Sequence, residues 1–183
     1  MESLTGSILI ESTNRLMEYI LKGEELEKAV EKSRDLGEGM AIVNDEGHGF
    51  AILNKQTGKV RQFVGKNGAL TVPDNEIDYD AIEKGCPHYH RPSKTANYSD
   101  TWPWSNFKDG VCAIRWMIYP DGMYFADSDG YGMEDNNEED AYCIIDKDLN
   151  VIVPFQPMVN VRQTLNDIAM RLKDNQEHRP NEV

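Results

Sequence analysis

The stretch Val111–Ala126, VCAIRWMIYPDGMYFA, constrains the fold of this chain more than any other. Its first run alternates around Trp116, with Cys112, Ile114, Trp116 and Ile118 on one face and Val111, Ala113, Arg115, Met117 and Tyr119 on the other. Both faces are largely apolar, so the strand belongs in the middle of a sheet and is covered on both sides. A Pro-Asp-Gly turn and a second apolar run follow. The chain then enters its most charged part, DSDGYGMEDNNEED, from Asp127 to Asp140.

Similar punctuation recurs along the chain. NDEG at 44–47, KQTG at 55–58, YPDG at 119–122 and KDLN at 147–150 each end in Gly or Asn between two apolar runs, which predicts hairpin turns whose last residue takes positive φ. The implied strands are Met40–Val43, Gly49–Asn54, Lys59–Val64, Val111–Tyr119, Met123–Ala126, Ala141–Asp146 and Val151–Phe155, forming two antiparallel meanders. Ahead of them, Ser7 to Lys22 carries Leu9, Leu16, Tyr19 and Ile20 roughly on one helical stripe, with Gly23 as a stop. Glu24 to Leu36 repeats the pattern with Leu26, Ala29, Val30 and Ser33, ended by Gly37, so two N-terminal helices are expected. Near the end, Val161, Leu165, Ile168, Ala169 and Leu172 fall at helical spacing.

The expected fold class is therefore α+β, with antiparallel β-meander sheets covered by two N-terminal helices and one C-terminal helix. The length of 183 residues suits a single domain over 1–183. Its expected parts are a helical region 1–37, a first meander 38–64, an irregular aromatic region 65–109, a second meander 110–156, a C-terminal helix 159–175 and a frayed tail 176–183. Within 65–109, Asp78 to Lys84 reads as a short helix stopped by Gly85.

GFAILNKQTGKV at 49–60 and AYCIIDKDLNVIVPF at 141–155 together carry a further pattern: an apolar run, an Asx-Lys turn and a return through Val or Ile. The two segments resemble the WG-type β-hairpin repeat, with Asn150 standing where the second unit would have its turn glycine. The resemblance implies a β-hairpin scaffold and brings no catalytic residues with it.

Composition narrows the functional classes. No run of about 18 apolar residues exists, and Met1-Glu2-Ser3 lacks the basic and apolar regions of a signal peptide, so a cytoplasmic protein is expected. Three cysteines, Cys86, Cys112 and Cys143, do not make a disulfide framework, and two lie in expected core strands. The formal charge of −13 argues against unaided binding to nucleic acid or an anionic membrane and favours a basic partner or a cation.

Chemistry-bearing residues are few. Cys86, His88 and His90 would place a thiolate and two imidazoles on one metal if extended, but the paired spacing of a zinc motif is absent. Aligned on a calcium loop of EF-hand type, Asp127, Asp129, Asp135 and Glu138 occupy ligand positions, with Gly132 at the sharp turn. Tyr131 stands where a fifth-position oxygen ligand belongs, and the flanking elements are expected strands rather than helices. Ca2+ is thus the alternative to a chain without cofactor. The chain contains no GxSxG, P-loop or HExxH, and Cys86 with His88 and Glu83 is a weak nucleophile set, so no catalytic residue is expected.

Charge distribution is the sharper signal. Between Asp121 and Asp148 stand ten acidic residues and one basic, Lys147, a local net of −9. The irregular region before it holds Tyr89, Tyr98, Trp102, Trp104 and Phe107, which either close one end of the sheet or face a partner. The expected activity is that of a non-enzymatic acidic protein binding a basic protein partner through Trp102, Trp104, Glu134, Asp135, Glu138 and Glu139. In general type this is similar to bacterial immunity proteins that neutralise toxins.

Overall fold

The computed structural model describes residues 7–11, 17–44, 49–66, 68–86, 101–118 and 139–177. The strands are β1 Ser7–Glu11, β2 Met17–Leu21, β3 Arg34–Gly37, β4 Met40–Asn44, β5 Phe50–Asn54, β6 Lys59–Val64, β7 Thr101–Pro103, β8 Val111–Ile118, β9 Glu139–Asp146 and β10 Val151–Gln156. The helices are α1 Gly23–Lys32, α2 Tyr79–Gly85 and α3 Val161–Glu177, with a short 3-10 turn at Asp74–Glu76. Among the described residues these strands make two antiparallel sheets, a six-stranded one in the order β1-β2-β6-β5-β4-β3 and a four-stranded one in the order β10-β9-β8-β7. No helix among them is long and apolar enough to cross a membrane.

Strand alternation builds the layers. Met40, Ile42, Phe50, Ile52 and Phe63 of the first sheet meet Cys112, Ile114, Trp116, Cys143, Ile145 and Phe155 of the second in one buried core. The opposite face of the first sheet, with Ala51, Leu53 and Val60, lies under Leu26, Ala29 and Val30 of α1. The opposite face of the second, with Val111, Ala113 and Ile144, lies under Val161 and Leu165 of α3. β8 is thus covered on both sides and paired on both edges, as its two apolar faces require, and Trp116 is 1% exposed with its ring edge-on to Phe155 at 5.7 Å.

Three expectations need correction. Ser7 to Lys22 is not a helix but the hairpin strands β1 and β2, in register from Ser7↔Leu21 to Glu11↔Met17. Periods of 2 and 3.6 overlap in short windows, and here pairing decides: β2 completes the ladder of β6 through Glu18↔Arg61 and Ile20↔Lys59, while Tyr19 and Leu21 both pack toward α1. The second helix ends at Lys32 rather than Leu36, and Arg34–Gly37 is a strand paired with β4. Gly23 begins α1 instead of stopping a preceding helix. The sheets therefore cover one another and leave one N-terminal helix on the outside. An element that the spacing did not suggest, β7, pairs with β8 through Thr101↔Trp116 and ends in Pro103, tolerable because it is an edge strand. The strand expected at Met123–Ala126 lies outside the described residues.

The remaining elements match their sequence cues. Lys59–Val64 is β6, and Asp78 caps α2 by accepting from the Ala81 N–H at 3.0 Å. Two hairpin turns use an Asx side chain: Asn54 Oδ1 accepts from the Gln56 and Thr57 N–H groups, and Asp146 Oδ1 from those of Asp148 and Asn150. Gly58 has the anticipated positive φ of 81°, but in the second turn the left-handed residue is Leu149, at 69°, and not Asn150. Leu149 is 1% exposed, so its burial in the intersheet core offsets a strain of about 1–2 kcal/mol.

Candidate functional site

The two sheets are joined at one end by polar contacts from the first to the backbone of the second. Asn54 Nδ2 donates to the Lys147 carbonyl at 2.9 Å, Lys59 Nζ to that of Asp148 at 2.9 Å, and Arg61 Nη1 to that of Leu149 at 2.8 Å. Arg61, only 1% exposed, also pairs with Glu76 through Nη2. This end is structural. The opposite end of the β8–β9 ladder closes with Ile118↔Glu139, and residues 119–138, which hold most of the acidic stretch, are attached there.

On the outer face of the second sheet a polar and aromatic cluster runs from Asp140, paired with Met117, to Trp104, whose N–H donates to the Ala113 carbonyl at 2.7 Å. Trp104 is 37% exposed, edge-on to Tyr142 at 6.2 Å, with the Arg162 guanidinium 5.0 Å from its ring. Arg115 pairs with Asp140 at 3.2 Å, and the Tyr142 hydroxyl donates to Asp140 at 3.4 Å. Burial, reinforced by the Asp140 carboxylate, raises the Tyr142 pKa above its ordinary value, so its hydroxyl stays a donor at neutral pH. Both cations are held by internal partners, which leaves the aromatic edge as the accessible feature.

The two tryptophans of the WPW segment have different surroundings. Trp102 is half-buried against the intersheet core, 5.3 Å from the Phe50 ring and with the Arg34 guanidinium 5.7 Å above it. Phe107 is 4% exposed in the same core. Trp104 alone of these three presents a large exposed area.

The other candidates separate cleanly. Cys86 is 2% exposed at the end of α2, while His88 and His90 lie outside the described residues. Asp127, Asp129, Glu134, Asp135 and Glu138 also lie outside them, and Glu139 opens β9. Among the described residues no group of three or more His, Cys, Asp or Glu side chains is placed to hold a metal ion. Cys112 and Cys143 are free and buried; burial pushes the Cys112 thiol up to about 12 and raises that of Cys143 as well, so neither is an activated nucleophile. A shallow cleft of about 740 Å³ runs between the second half of α3 and the turns at Asp109–Gly110 and Lys147–Asp148, floored by Ala169 and Leu172.

Arg115, Asp140, Tyr142 and Arg162 were not singled out by spacing. Arg115 had left a signal, as a lone charge in an apolar strand, because such a residue needs a partner on its own face. No family model matches the chain, and neither the curated proteins nor the solved structures include a significant match.

Proposed function

We propose that the protein is a non-enzymatic acidic binding protein of inhibitor or immunity type, which neutralises a basic protein partner such as a bacterial toxin in the cytoplasm. The observation that carries the reading is charge placement: −9 of the chain's −13 falls between Asp121 and Asp148, six of the ten acidic residues being in 119–138, which joins β8 to β9, the strands beside exposed Trp104. Opposite potentials speed encounter, and an exposed aromatic beside them supplies the desolvated anchor that slows release. Trp104 has this role; Trp102, set against Phe50, supports the platform from within. Buried thiols of raised pKa fit a protein without nucleophilic chemistry.

Affinity capture from the native host, followed by rate measurements on the captured partner, tests the reading. Glu134→Gln, Asp135→Asn, Glu138→Gln and Glu139→Gln together slow association and flatten its salt dependence. The range runs from roughly 50 to 500 mM, over which the Debye length falls from above 10 Å to about 4 Å. Trp104→Ala mainly speeds dissociation. An association rate indifferent to both salt and the four substitutions refutes the electrostatic contact.

A further inference from the structure

The two meanders share more than topology. β3 and β4 are joined by Glu38–Gly39 at φ 53° and 83°, and Lys108, bridged to Val111, is joined to β8 by Asp109–Gly110 at φ 53° and 88°, the two-residue turn with both central residues left-handed. β5–β6 and β9–β10 are joined by turns that open on an Asx side chain. With Asn54 set on Asp146, Ile52, Lys55 and Phe63 fall on Ile144, Lys147 and Phe155, while Phe50 and Leu53 fall on Tyr142 and Ile145, and Val60, paired with Leu53, corresponds to Val151, paired with Ile145. Strand order is the same for β6-β5-β4 against β10-β9-β8, and beside β8 the segment 105–108, which follows β7, takes the place of β3.

Equivalent residues also sit against one another. The Phe107 N–H donates to the carbonyl of its equivalent, Leu36, at 2.8 Å. The Glu38 carboxylate accepts from the Asp109 and Gly110 N–H groups at 2.8 and 2.9 Å, and Asn54 reaches the residue after its own equivalent, Asp146. The faces agree. Met40, Ile42 and Ile52 look toward the second sheet, whereas their equivalents Val111, Ala113 and Ile144 look toward α3. Val43 and Leu53 look toward α1, and their equivalents Ile114 and Ile145 look toward the first sheet. A twofold axis would turn the same face of both copies inward. A translation produces the arrangement observed.

We infer that residues 36–64 and 107–156 are two copies of one meander stacked by translation, and that the acidic stretch is an expansion of the second copy which the fold does not require. The spacing between equivalents is 71 residues before the β4–β5 and β8–β9 connections and 92 after them, an expansion of 21 residues. It falls at the end of the β8–β9 ladder remote from the stacked turns, so the contacts between copies given above are made without it. A translational stack is open at both ends, and α1 and α3 close it, in the manner of capping units on repeat proteins.

The test is a graft between copies. Residues 119–138, 20 in number, are replaced by Asp-Glu-Gly-His-Gly, the residues at 45–49 that connect β4 to β5. The shortened protein unfolds in one cooperative transition, retains the near-ultraviolet circular dichroism of packed Trp116, and has a Tm equal to or above that of the parent, because a shorter connection is closed at less entropy. A second variant with a Gly-Ser link of about ten residues in the same place behaves alike, which guards against a turn too tight to close. Loss of the cooperative transition or of the tryptophan signal in both variants overturns the inference. A shortened protein that keeps its fold and binds the captured partner unchanged instead overturns the binding reading and leaves the duplication standing.

Discussion

Arg61 and Glu76 give opposite answers depending on whether hydrogen bonds or buried charge decide stability. Arg61 is 1% exposed between the sheets, donating to the Leu149 carbonyl at 2.8 Å and to Glu76, with its guanidinium 4.8 Å from the Phe63 ring. Arg61→Met removes both hydrogen bonds; Glu76→Ala removes one. Bond counting makes the arginine change worse. Desolvation makes it milder, because methionine takes the charge out of the core while filling most of the volume and keeping the contact with Phe63. What remains is the Leu149 carbonyl without its donor, about 1–2 kcal/mol. Glu76→Ala instead strands a guanidinium in the core, a change of about 3–5 kcal/mol for fully buried pairs. The Glu76 side chain is 22% exposed, so entering water holds the figure near the lower end. The expected order is Glu76→Ala more destabilising than Arg61→Met by about 1–2 kcal/mol, with the double variant close to Arg61→Met alone. Urea unfolding at pH 7, followed by tryptophan fluorescence, measures all three. The gap should persist at roughly 0.5 M salt, since buried pairs are little screened. If Arg61→Met proves equal to or worse than Glu76→Ala, the buried-charge argument is wrong.

Two further outcomes are expected. Trp116→Ala lowers stability by about 3–5 kcal/mol and Trp104→Ala by under about 1 kcal/mol, because the first ring fills the core and the second is partly solvated; equal losses in calorimetry would contradict the placement of the two rings. Cys112, with a folded value of about 12 against an ordinary value of 9.0, contributes stability fully present below about pH 9 and lost as pH rises toward 12. Native protein at pH 8 should therefore leave a thiol reagent unreacted until urea is added, and Cys112→Ala should flatten the alkaline decline in stability; rapid labelling of the native protein would show the thiol to be accessible.

Much of the fold was legible where the signal was local. An Asx residue with a left-handed position a few residues on marks both hairpin tips, and strand β8 carries apolar side chains on both faces because both are covered. The N-terminal segment was misread because Leu16, Tyr19 and Ile20 fit a helical stripe while Tyr19 and Leu21 fit a strand. Nothing within the segment breaks that tie; the ladder offered by β6, some 40 residues away, does. The candidate site divides in the same way. Its charge is a property of composition, whereas the separation of Trp102 from Trp104 follows from Phe50 and Tyr142, residues distant in the chain.

The amino-acid order alone determined the acidic balance, the α+β class, the hairpin turns and the amphipathic face of α3, because turn chemistry and side-chain periodicity act over a few residues. Tertiary structure decided that the sheets cover each other, that Leu149 rather than Asn150 takes the left-handed conformation, and that Trp104 remains exposed. Each of those outcomes is set by contact with a remote partner: the core pays the strain of Leu149, and Phe50 holds Trp102 against the core while Tyr142 meets Trp104 on the outer face.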